Sequence, residues 1–243
     1  MNDRVIVITG ASAGIGEALA KQVFAKGARP VLVARRAEAL SAVSAACGGA
    51  QALVADVTRR GEVERVVAEV LQQQGRLDVW VNNVGRGISR MPSELTDADL
   101  DEMMAVNVKS ALYGMQAVLP HFKARNAGHL VNVSSMLGRV PFAVQRSAYN
   151  GAKHFLNALT ANLRAELAPT HPGITVSLFS PGAVATDFGK NALHGGVDSR
   201  TLPNAQSADD VAAALVKLLE TRQPDAYSRP EFKQTVVDYF SKL

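Results

Sequence analysis

Several features that many proteins have are scarce in this chain of 243 residues, and each shortage excludes a class of protein. The only cysteine, Cys47, cannot form an intrachain disulfide, which fits a reducing cytoplasm. No apolar run approaches the roughly 20 residues that span a bilayer, and the opening MNDRVIVITG lacks the pattern of a signal peptide. We therefore expect a cytoplasmic protein with no membrane partner.

Signals for nucleic acid and for metal are also missing. The net charge is only +4, and no basic run is interleaved with aromatic residues, so we expect no nucleic-acid partner. The five histidines do not cluster as metal ligands do, so no metal is expected. The small positive excess would instead suit an anionic cofactor.

What the chain does have is an alternation of short β-branched runs with longer helical stretches. The predicted strands are residues 5–8, 30–33, 52–54, 79–81, 129–133 and 175–179, with a weak seventh at 225–228. Helical periodicity covers residues 15–26, 60–74, 97–125 with a possible break near Pro120, 148–168 and 208–221. This alternation predicts an α/β fold with a doubly wound parallel sheet and helices on both faces.

The C-terminal tail, approximately residues 230–243, has the pattern of an amphipathic helix. Its apolar face is predicted to contain Phe232, Val236, Val237, Phe240 and Leu243. Two interpretations stay open, because the face could pack on the body of the same chain or form a subunit interface.

The stretch TGASAGIG (9–16) follows the first predicted strand and opens the first helix. Gly10, Gly14 and Gly16 allow the backbone to approach a phosphate closely, and the helix offers free N–H groups and a positive dipole end. The spacing is wider than G-x-G-x-x-G, and a glycine-rich turn without a ligand is the alternative. Since no linker or repeat divides the chain, we expect a single Rossmann-type domain over residues 1–243 that binds a dinucleotide and carries the catalytic residues.

The end of the second strand, VLVARR, bears on which dinucleotide would bind. Ala34 stands where an acidic residue would hold the ribose 2′-hydroxyl of the unphosphorylated cofactor. Arg35 and Arg36 follow, and a guanidinium can bind an additional 2′-phosphate in a bidentate way. The alternative is two solvated arginines at the start of a helix. The pattern favours NADP(H).

Tyr149 and Lys153 in SAYNGAK (147–153) lie four positions apart in a predicted helix, on one face. Lowering a tyrosine pKa from ~10 to ~7 requires about 4 kcal/mol. A unit charge at ~4 Å in an effective dielectric of ~20 supplies about 4 kcal/mol. We therefore expect Lys153 to lower the pKa of Tyr149 and make it an acid–base group. The alternative is a surface helix whose tyrosine lies over its neighbours.

Taken in chain order, seven motifs resemble those of the short-chain dehydrogenase/reductase family. They are TGASAGIG (9–16), DV (56–57), NNVG (82–85), NV (107–108), VSS (133–135), YNGAK (149–153) and PGAVAT (181–186). The resemblance implies an NADP(H)-dependent oxidoreductase that interconverts a carbonyl and an alcohol on a small molecule by hydride transfer. It also implies a homodimer or homotetramer, and a substrate lid over approximately residues 187–207.

The resemblance further implies a catalytic set of Asn107, Ser135, Tyr149 and Lys153. Ser135 would hold the substrate oxygen, and Tyr149 would be the general acid or base. Lys153 would lower the tyrosine pKa and bind the ribose hydroxyls, while Asn107 would support a water that resupplies the proton. Ser135 matches the family better than Ser134, because it precedes x-x-G in SMLG.

The implied cofactor contacts extend over the whole crevice. Asp56 and Val57 would contact the adenine, Asn83 and Gly85 the adenosine-side ribose, and residues 181–186 the nicotinamide end. The predicted cofactor-binding set is Gly10, Ser12, Gly14, Ile15, Gly16, Arg35, Arg36, Asp56, Val57, Asn83, Gly85, Tyr149, Lys153, Pro181, Gly182, Val184 and Thr186.

Two other functions are alternatives to this one. A non-catalytic dinucleotide-binding sensor or scaffold is the main alternative, and a nucleotide-sugar epimerase or dehydratase of related fold is another. Arg86, Arg90, Arg139 and Arg146 fall on loops near the predicted pocket. They would suit an acidic substrate, or they are solvated surface residues.

Overall fold

The computed structural model describes residues 1–242. Its strands form one seven-stranded sheet in the order β3-β2-β1-β4-β5-β6-β7, with every neighbouring pair parallel. The strands are β1 Val5–Thr9, β2 Arg29–Ala34, β3 Ala52–Val54, β4 Val79–Asn82, β5 Gly128–Val133, β6 Ile174–Ser180 and β7 Asp225–Tyr227. The predicted α/β class and parallel sheet are confirmed, including the weak seventh strand.

Helices connect the strands on both faces of the sheet. They are α1 Gly14–Ala25, α2 Ala37–Ala46, α3 Arg60–Gln74, α4 Asp97–Met104, α5 Ser110–Arg125, α6 Ser147–Leu167, α7 Ala208–Thr221 and α8 Phe232–Phe240. Short 3-10 turns lie at Pro92–Glu94, Met136–Gly138 and Ser199–Thr201. Within residues 1–242, none of the helices combines the length and hydrophobicity that crossing a bilayer requires.

Strand β1 shows why the sheet is covered on both sides. Ile6 and Ile8 pack in the apolar cluster that contains residues of α1 and α7, whereas Val5 and Val7 pack in the cluster that contains residues of α3 and α5. All four are fully buried. A strand buried on both faces needs a continuous apolar run rather than an alternating one, and VIVI supplies it.

The order of strands reverses between β1 and β4, so their carboxyl ends open a crevice. Ile8 pairs with Val81 in the sheet, so Gly10 and Asn83 leave it at the same level. Register and topology therefore bring the glycine turn and the NNVG motif to one place.

The long helical stretch over residues 97–125 is interrupted, but not where the sequence suggested. The helix α5 continues through Pro120, and the interruption is a π-helical turn at Ala105–Lys109. Pro120 lacks the N–H that would bond the carbonyl of Gln116. Both residues are exposed, so water can satisfy that carbonyl and the helix continues. The π turn carries Asn107, one of the predicted catalytic residues.

The helix α8 lies within the predicted range, but its packing face differs from the predicted one. Phe232 and Val236 are half-buried as expected, and Tyr239 packs edge-on against Phe142 with 5.6 Å between ring centroids. Val237 and Phe240 are 49% and 56% exposed. The buried stripe follows positions i, i+4 and i+7, which is narrower than the face assumed from sequence. Residue 243, also placed on that face, lies outside the described residues.

Candidate active site

A cleft of about 1540 Å³ runs along the carboxyl edge of the sheet. Its wall includes every predicted cofactor-binding and catalytic residue except Gly16 and Asn107, which lie just behind it. Cofactor-sized pockets in proteins are usually a few hundred to about 1,000 Å³. The cleft is therefore large enough for an extended dinucleotide together with a small substrate.

The glycine turn has the conformation that a phosphate cradle needs. Gly10 and Gly14 have φ of +68° and +56°, where other residues are strained. A Cβ on Gly16 would lie 2.3 Å from the Gly10 carbonyl oxygen, so only glycine fits there. Ala13 precedes α1 without a side-chain cap, so the first N–H groups of the helix are free to bind an anion. The chain's own residues thus fit the pyrophosphate of a dinucleotide.

Asn83 holds this turn against the neighbouring strand. Its side-chain amide donates a hydrogen bond to the Thr9 carbonyl at 3.0 Å, and its backbone N–H donates to the Thr9 hydroxyl at 3.0 Å. The Thr9 hydroxyl in turn donates to the Val81 carbonyl at 3.1 Å. Sequence reasoning missed Thr9. Its place directly before the first glycine, at the end of a buried strand, was the available signal.

Two arginines and one carboxylate surround the far end of the cleft. The Arg36 guanidinium donates to the hydroxyl and carbonyl of Ser12 at 3.1 and 3.2 Å, so it lies against the glycine turn. Burial acts to raise the pKa of Asp56, but hydrogen bonds from Thr58 and the charge of Arg35 outweigh it, and the pKa is lowered. Asp56 is therefore ionised at neutral pH, and it also attracts Arg35.

Tyr149 and Lys153 are both buried on α6, 5% and 2% exposed, at the cleft wall. The Lys153 ammonium lies 5.8 Å from the centroid of the Tyr149 ring and donates to the Val133 carbonyl at 2.9 Å. Burial raises the pKa of Tyr149 to about 12. Burial also lowers the pKa of Lys153 to about 8.

The expectation that Lys153 by itself lowers the pKa of Tyr149 is therefore wrong for the polypeptide. Loss of hydration disfavours phenolate and ammonium alike, and the groups that lower the pKa of Tyr149 are Ser135 and Arg146 instead of Lys153. The lysine also faces a backbone carbonyl instead of the phenol oxygen. As a result, Tyr149 is a protonated hydrogen donor at neutral pH.

Ser135 is the serine that shares the site with Tyr149. The Ser135 hydroxyl lowers the pKa of Tyr149, which offsets part of the effect of burial. The same hydroxyl accepts from the Leu137 N–H at 3.1 Å. The Ser134 hydroxyl instead donates to the Asn157 side chain on α6. The two serines are thus divided between the cleft and the packing behind it.

Asn107 acts on the loop that follows β4. Its amide donates to the Arg86 carbonyl at 3.0 Å and to the Met103 carbonyl at 3.1 Å, and its oxygen accepts from the Arg86 N–H at 3.1 Å. A Cβ on Gly85 would lie 3.1 Å from the Asn107 oxygen and 3.4 Å from the Lys153 nitrogen. Asn107 therefore holds the Gly85 loop beside Lys153.

The PGAVAT segment closes the other side of the cleft. The Ala185 N–H donates to the Gln206 carbonyl at 2.8 Å, and the Gln206 N–H donates to the Ala183 carbonyl at 2.9 Å. A Cβ on Gly182 would lie 2.6 Å from the ring of Phe232. Because Gly182 has no side chain, Phe232 of α8 can pack against it. The sequence predicted this helix but not its contact with Gly182.

The segment predicted as a lid, residues 187–207, lies over the catalytic residues. The Phe188 ring packs edge-on against the Tyr149 ring at 5.6 Å between centroids. Near the middle of the segment, His194 pairs with Asp99 on α4 at 2.6 Å. The hydrogen bond from His194 is the largest cause that lowers the pKa of Asp99 to about 2. Phe188 was not among the predicted site residues, although it follows PGAVAT by only two positions.

The comparisons with known proteins agree with this geometry. A family model described as short chain dehydrogenase matches residues 4–195. An uncharacterized oxidoreductase of Staphylococcus epidermidis is 32% identical over 231 residues, which are 95% of this chain and 98% of that protein.

Two solved structures show the same fold with different cofactors. A short-chain dehydrogenase from Sphingobium yanoikuyae in complex with NADPH has a TM-score of 0.84 at 28% identity, covering 98% of this chain and 93% of that one. A 3-ketoacyl-(acyl-carrier-protein) reductase from Brucella melitensis complexed with NADH has a TM-score of 0.83 at 28% identity, covering 93% and 96%.

The reversed strand order, the uncapped glycine turn and the long cleft define a dinucleotide-binding α/β protein. The chain belongs to the short chain dehydrogenase family and is an oxidoreductase of that family. The predicted family is thereby confirmed, and the cofactor class is a nicotinamide dinucleotide. Relatives bind either form of that cofactor.

Proposed function

We propose that this protein interconverts a carbonyl and an alcohol of a small molecule with NADP(H), and that Tyr149 is the general acid and base. The observation that carries the proposal is a buried, protonated phenol beside the Ser135 hydroxyl, on the wall of the cleft that begins at the glycine turn. A binding-only protein would gain nothing from burying a tyrosine and a lysine together, because both lose hydration.

Different residues along the cleft would bind different parts of the dinucleotide. Gly10, Ser12, Gly14 and Ile15 would hold the pyrophosphate at the start of α1, with Gly16 behind them. Asp56, Val57, Asn83 and Gly85 would line the adenosine half. Pro181, Gly182, Val184 and Thr186 would hold the nicotinamide half. The bound dinucleotide would supply the hydride for reduction and accept it for oxidation.

Proton transfer depends on four side chains. In reduction, the Ser135 and Tyr149 hydroxyls donate hydrogen bonds to the carbonyl oxygen, and Tyr149 then gives up its proton as negative charge develops there. Because the pKa of Lys153 is about 8, its amine is largely protonated at neutral pH. The resulting positive charge stabilises the negative charge left on the phenol oxygen. In oxidation, the phenolate takes the proton back. Asn107 keeps Gly85 beside Lys153 and, by family resemblance, supports the water that resupplies the proton.

The preference for NADP(H) is supported by the position of two arginines. Arg36 lies against Ser12 of the glycine turn, Arg35 lies near Asp56, and both line the cleft beyond Ala34. Neither forms an ion pair with a carboxylate within residues 1–242, so both guanidiniums can bind a 2′-phosphate. Removal of these arginines should therefore affect NADPH and spare NADH.

Fluorescence or calorimetric titration tests this preference. We expect NADPH to bind about 10- to 100-fold more tightly than NADH, the size expected for hydrogen bonds to a charged group. The double variant Arg35→Ala/Arg36→Ala should lose that difference. The variant Arg65→Ala, which removes an arginine paired with Glu69 on α3, serves as the matched control. Equal affinities in the unchanged protein, or no loss in the double variant, would contradict NADP preference.

We also retain a homodimer or homotetramer and a single cooperative domain as proposals. Four large apolar residues in the two segments that meet at the Phe142–Tyr239 contact are exposed, namely Phe142, Val144, Val237 and Phe240, and they support self-association through the region of α8. The sheet, which takes strands from Val5 to Tyr227, supports one domain. Light scattering should give a multiple of 25.7 kDa, with a lower mass for a chain ending at Arg229. A monomeric mass for the full chain would contradict the homo-oligomer. Two separate unfolding transitions would contradict the single domain.

A cytoplasmic location is proposed on the single cysteine. Cys47 is buried at the end of α2 and has no partner for a disulfide. Cell fractionation would test the location, and recovery in a secreted fraction would contradict it.

A further inference from the structure

The arginines around the cleft differ in whether a carboxylate neutralises them. Arg86, which lines the cleft, pairs with Glu102 at 3.0 Å, whereas Arg90 and Arg139, which lie off its wall, pair with Asp99 at 3.3 Å and with Asp225. Arg146 also lines the cleft, yet none of the carboxylates in residues 1–242 lies within 4.0 Å of its guanidinium. Arg146 is thus a half-buried positive charge without a protein counter-charge.

The guanidinium of Arg146 is held in a fixed place. One of its nitrogens, Nη1, donates to the Ile88 carbonyl at 3.0 Å. A Cβ on Gly87 would lie 2.9 Å from Nη1, and a Cβ on Gly196 would lie 3.2 Å from Nη2. Two glycines, one in the loop after β4 and one in the lid, therefore leave room for this side chain. Nε and Nη2 make no hydrogen bond within the described residues and remain able to donate into the cleft.

Burial makes this unpaired charge unfavourable by itself. It lowers the pKa of Arg146 from the usual value for a guanidinium, although the neighbouring Tyr149 acts in the opposite direction. Arginine nevertheless stays charged at any pH at which proteins are folded. A half-buried cation with free donors gains most from an anion that arrives in the same cleft, because both are shielded from water there.

The position of Arg146 sets how far that anion can be from the reacting carbonyl. Arg146 precedes α6 directly, and Tyr149 follows it by three residues. Side chains separated by one helical turn have Cβ atoms about 5–6 Å apart. A carbonyl oxygen at Tyr149 and a carboxylate at Arg146 are then separated by only a few carbons.

This inference rests on the proposed function. We propose that Arg146 binds a carboxylate on the substrate, so that the protein acts on short oxo acids and the corresponding hydroxy acids. The phenol of Tyr149 would face the carbonyl, and the free Nε and Nη2 donors of Arg146 would face the carboxylate in a bidentate way. Arg146 would then determine specificity, while Tyr149 determines turnover.

Matched substrates test the proposal. The probes are 3-oxobutanoate and 4-oxopentanoate, each compared with its methyl ester, with NADPH consumption as the readout. For at least one pair we expect kcat/KM for the carboxylate to exceed that for the ester by about 10- to 100-fold, the range for hydrogen bonds between charged groups. The variant Arg146→Gln keeps a donor for Ile88 but removes the charge. It should lose this preference, so that the carboxylate and its ester are reduced with similar kcat/KM. Arg146→Lys should keep part of the preference.

The control and the contrary outcomes separate the possible roles of Arg146. Arg86→Gln removes a cleft arginine that Glu102 already neutralises, so the ratio of carboxylate to ester should not change. Equal rates for acids and esters in the unchanged protein would overturn the proposal. So would an Arg146→Gln variant in which both rates fall equally and the pH profile moves, because Arg146 would then act through the pKa of Tyr149.

A binding experiment does not depend on turnover. In calorimetry with NADP+ present, 4-oxopentanoate should bind to the Tyr149→Phe variant, and at least tenfold more weakly to Tyr149→Phe/Arg146→Gln. Equal binding to the two variants, or none to the first, would overturn the role of Arg146. Ester reduction that persists in either case would leave the reductase function standing. If the unchanged protein binds NADPH and 4-oxopentanoate but reduces neither acids nor esters, the proposed function fails and the carboxylate site remains.

Discussion

Replacing Tyr149 with phenylalanine should lower kcat for carbonyl reduction by roughly 10²- to 10⁴-fold, the usual contribution of a general acid. The phenol is the protonated donor beside Ser135, and phenylalanine keeps the ring that packs against Phe188 while removing the proton. Stopped-flow or steady-state measurement of NADPH consumption with a reactive diketone gives the rate. Binding of NADPH should change by less than threefold, because the ring stays in place.

The variant Tyr113→Phe provides the control for this experiment. Tyr113 lies on α5 under the guanidinium of Arg60 and is not on the cleft wall. Its hydroxyl can be removed without touching the site, so turnover should stay close to that of the unchanged protein. If Tyr149→Phe kept most of its turnover, Tyr149 could not be the acid, and the proposed mechanism would be wrong.

Replacing Lys153 with methionine should remove most turnover and, at neutral pH, make the fold more stable. Burial lowers the pKa of Lys153 from 10.5 to about 8 in the folded protein. That difference corresponds to about 3 kcal/mol at 1.36 kcal/mol per pKa unit. The variant also loses the hydrogen bond to the Val133 carbonyl, which lowers its free energy of unfolding by about 1 kcal/mol. We expect a net gain on the order of 1–3 kcal/mol at pH 7.

The dependence of this gain on pH follows from proton linkage. Between about pH 8 and 10.5 the unfolded chain binds the proton of Lys153 more strongly than the folded chain does. The contribution of Lys153 to the stability of the unchanged protein therefore rises with pH through that window. Below about pH 8 the full penalty for burying the charge is present. The advantage of Lys153→Met should therefore be largest at pH 7 and should shrink by pH 9.5.

Urea denaturation at pH 7 and pH 9.5 measures both quantities. Lys217→Met is the matched control, because Lys217 lies on the exposed side of α7 and its replacement should change little at either pH. A Lys153→Met variant less stable than the unchanged protein at pH 7, or a difference that does not vary with pH, would mean that the lysine is not penalised by burial. The expected outcome would identify Lys153 as a residue kept for activity at a loss of stability.

Sequence alone was sufficient for the fold class and for most of the cleft. The VIVI run of β1 is continuous and apolar, as a strand buried on both faces requires, and the parallel sheet follows from its alternation with helices. In the first turn, Gly10 and Gly14 have positive φ, and Gly16 lies in close contact with the backbone. The spacing of four between Tyr149 and Lys153 places both on one face of α6. These features are local, so residue type and spacing predict them.

Only the tertiary structure decided the protonation of the site and the distribution of free charge around it. The pKa of Tyr149 rises because elements far apart in sequence exclude water from it. The spacing of four residues between Tyr149 and Lys153 could not predict that burial. Arg86 and Arg139 are neutralised by Glu102 and Asp225, whereas Arg146 is not, which depends on which loops meet. Local patterns determine which groups reach the crevice. Solvent exclusion and ion pairs between distant segments depend on all the elements packed around the crevice. They determine which of those groups are protonated and which charges remain unpaired.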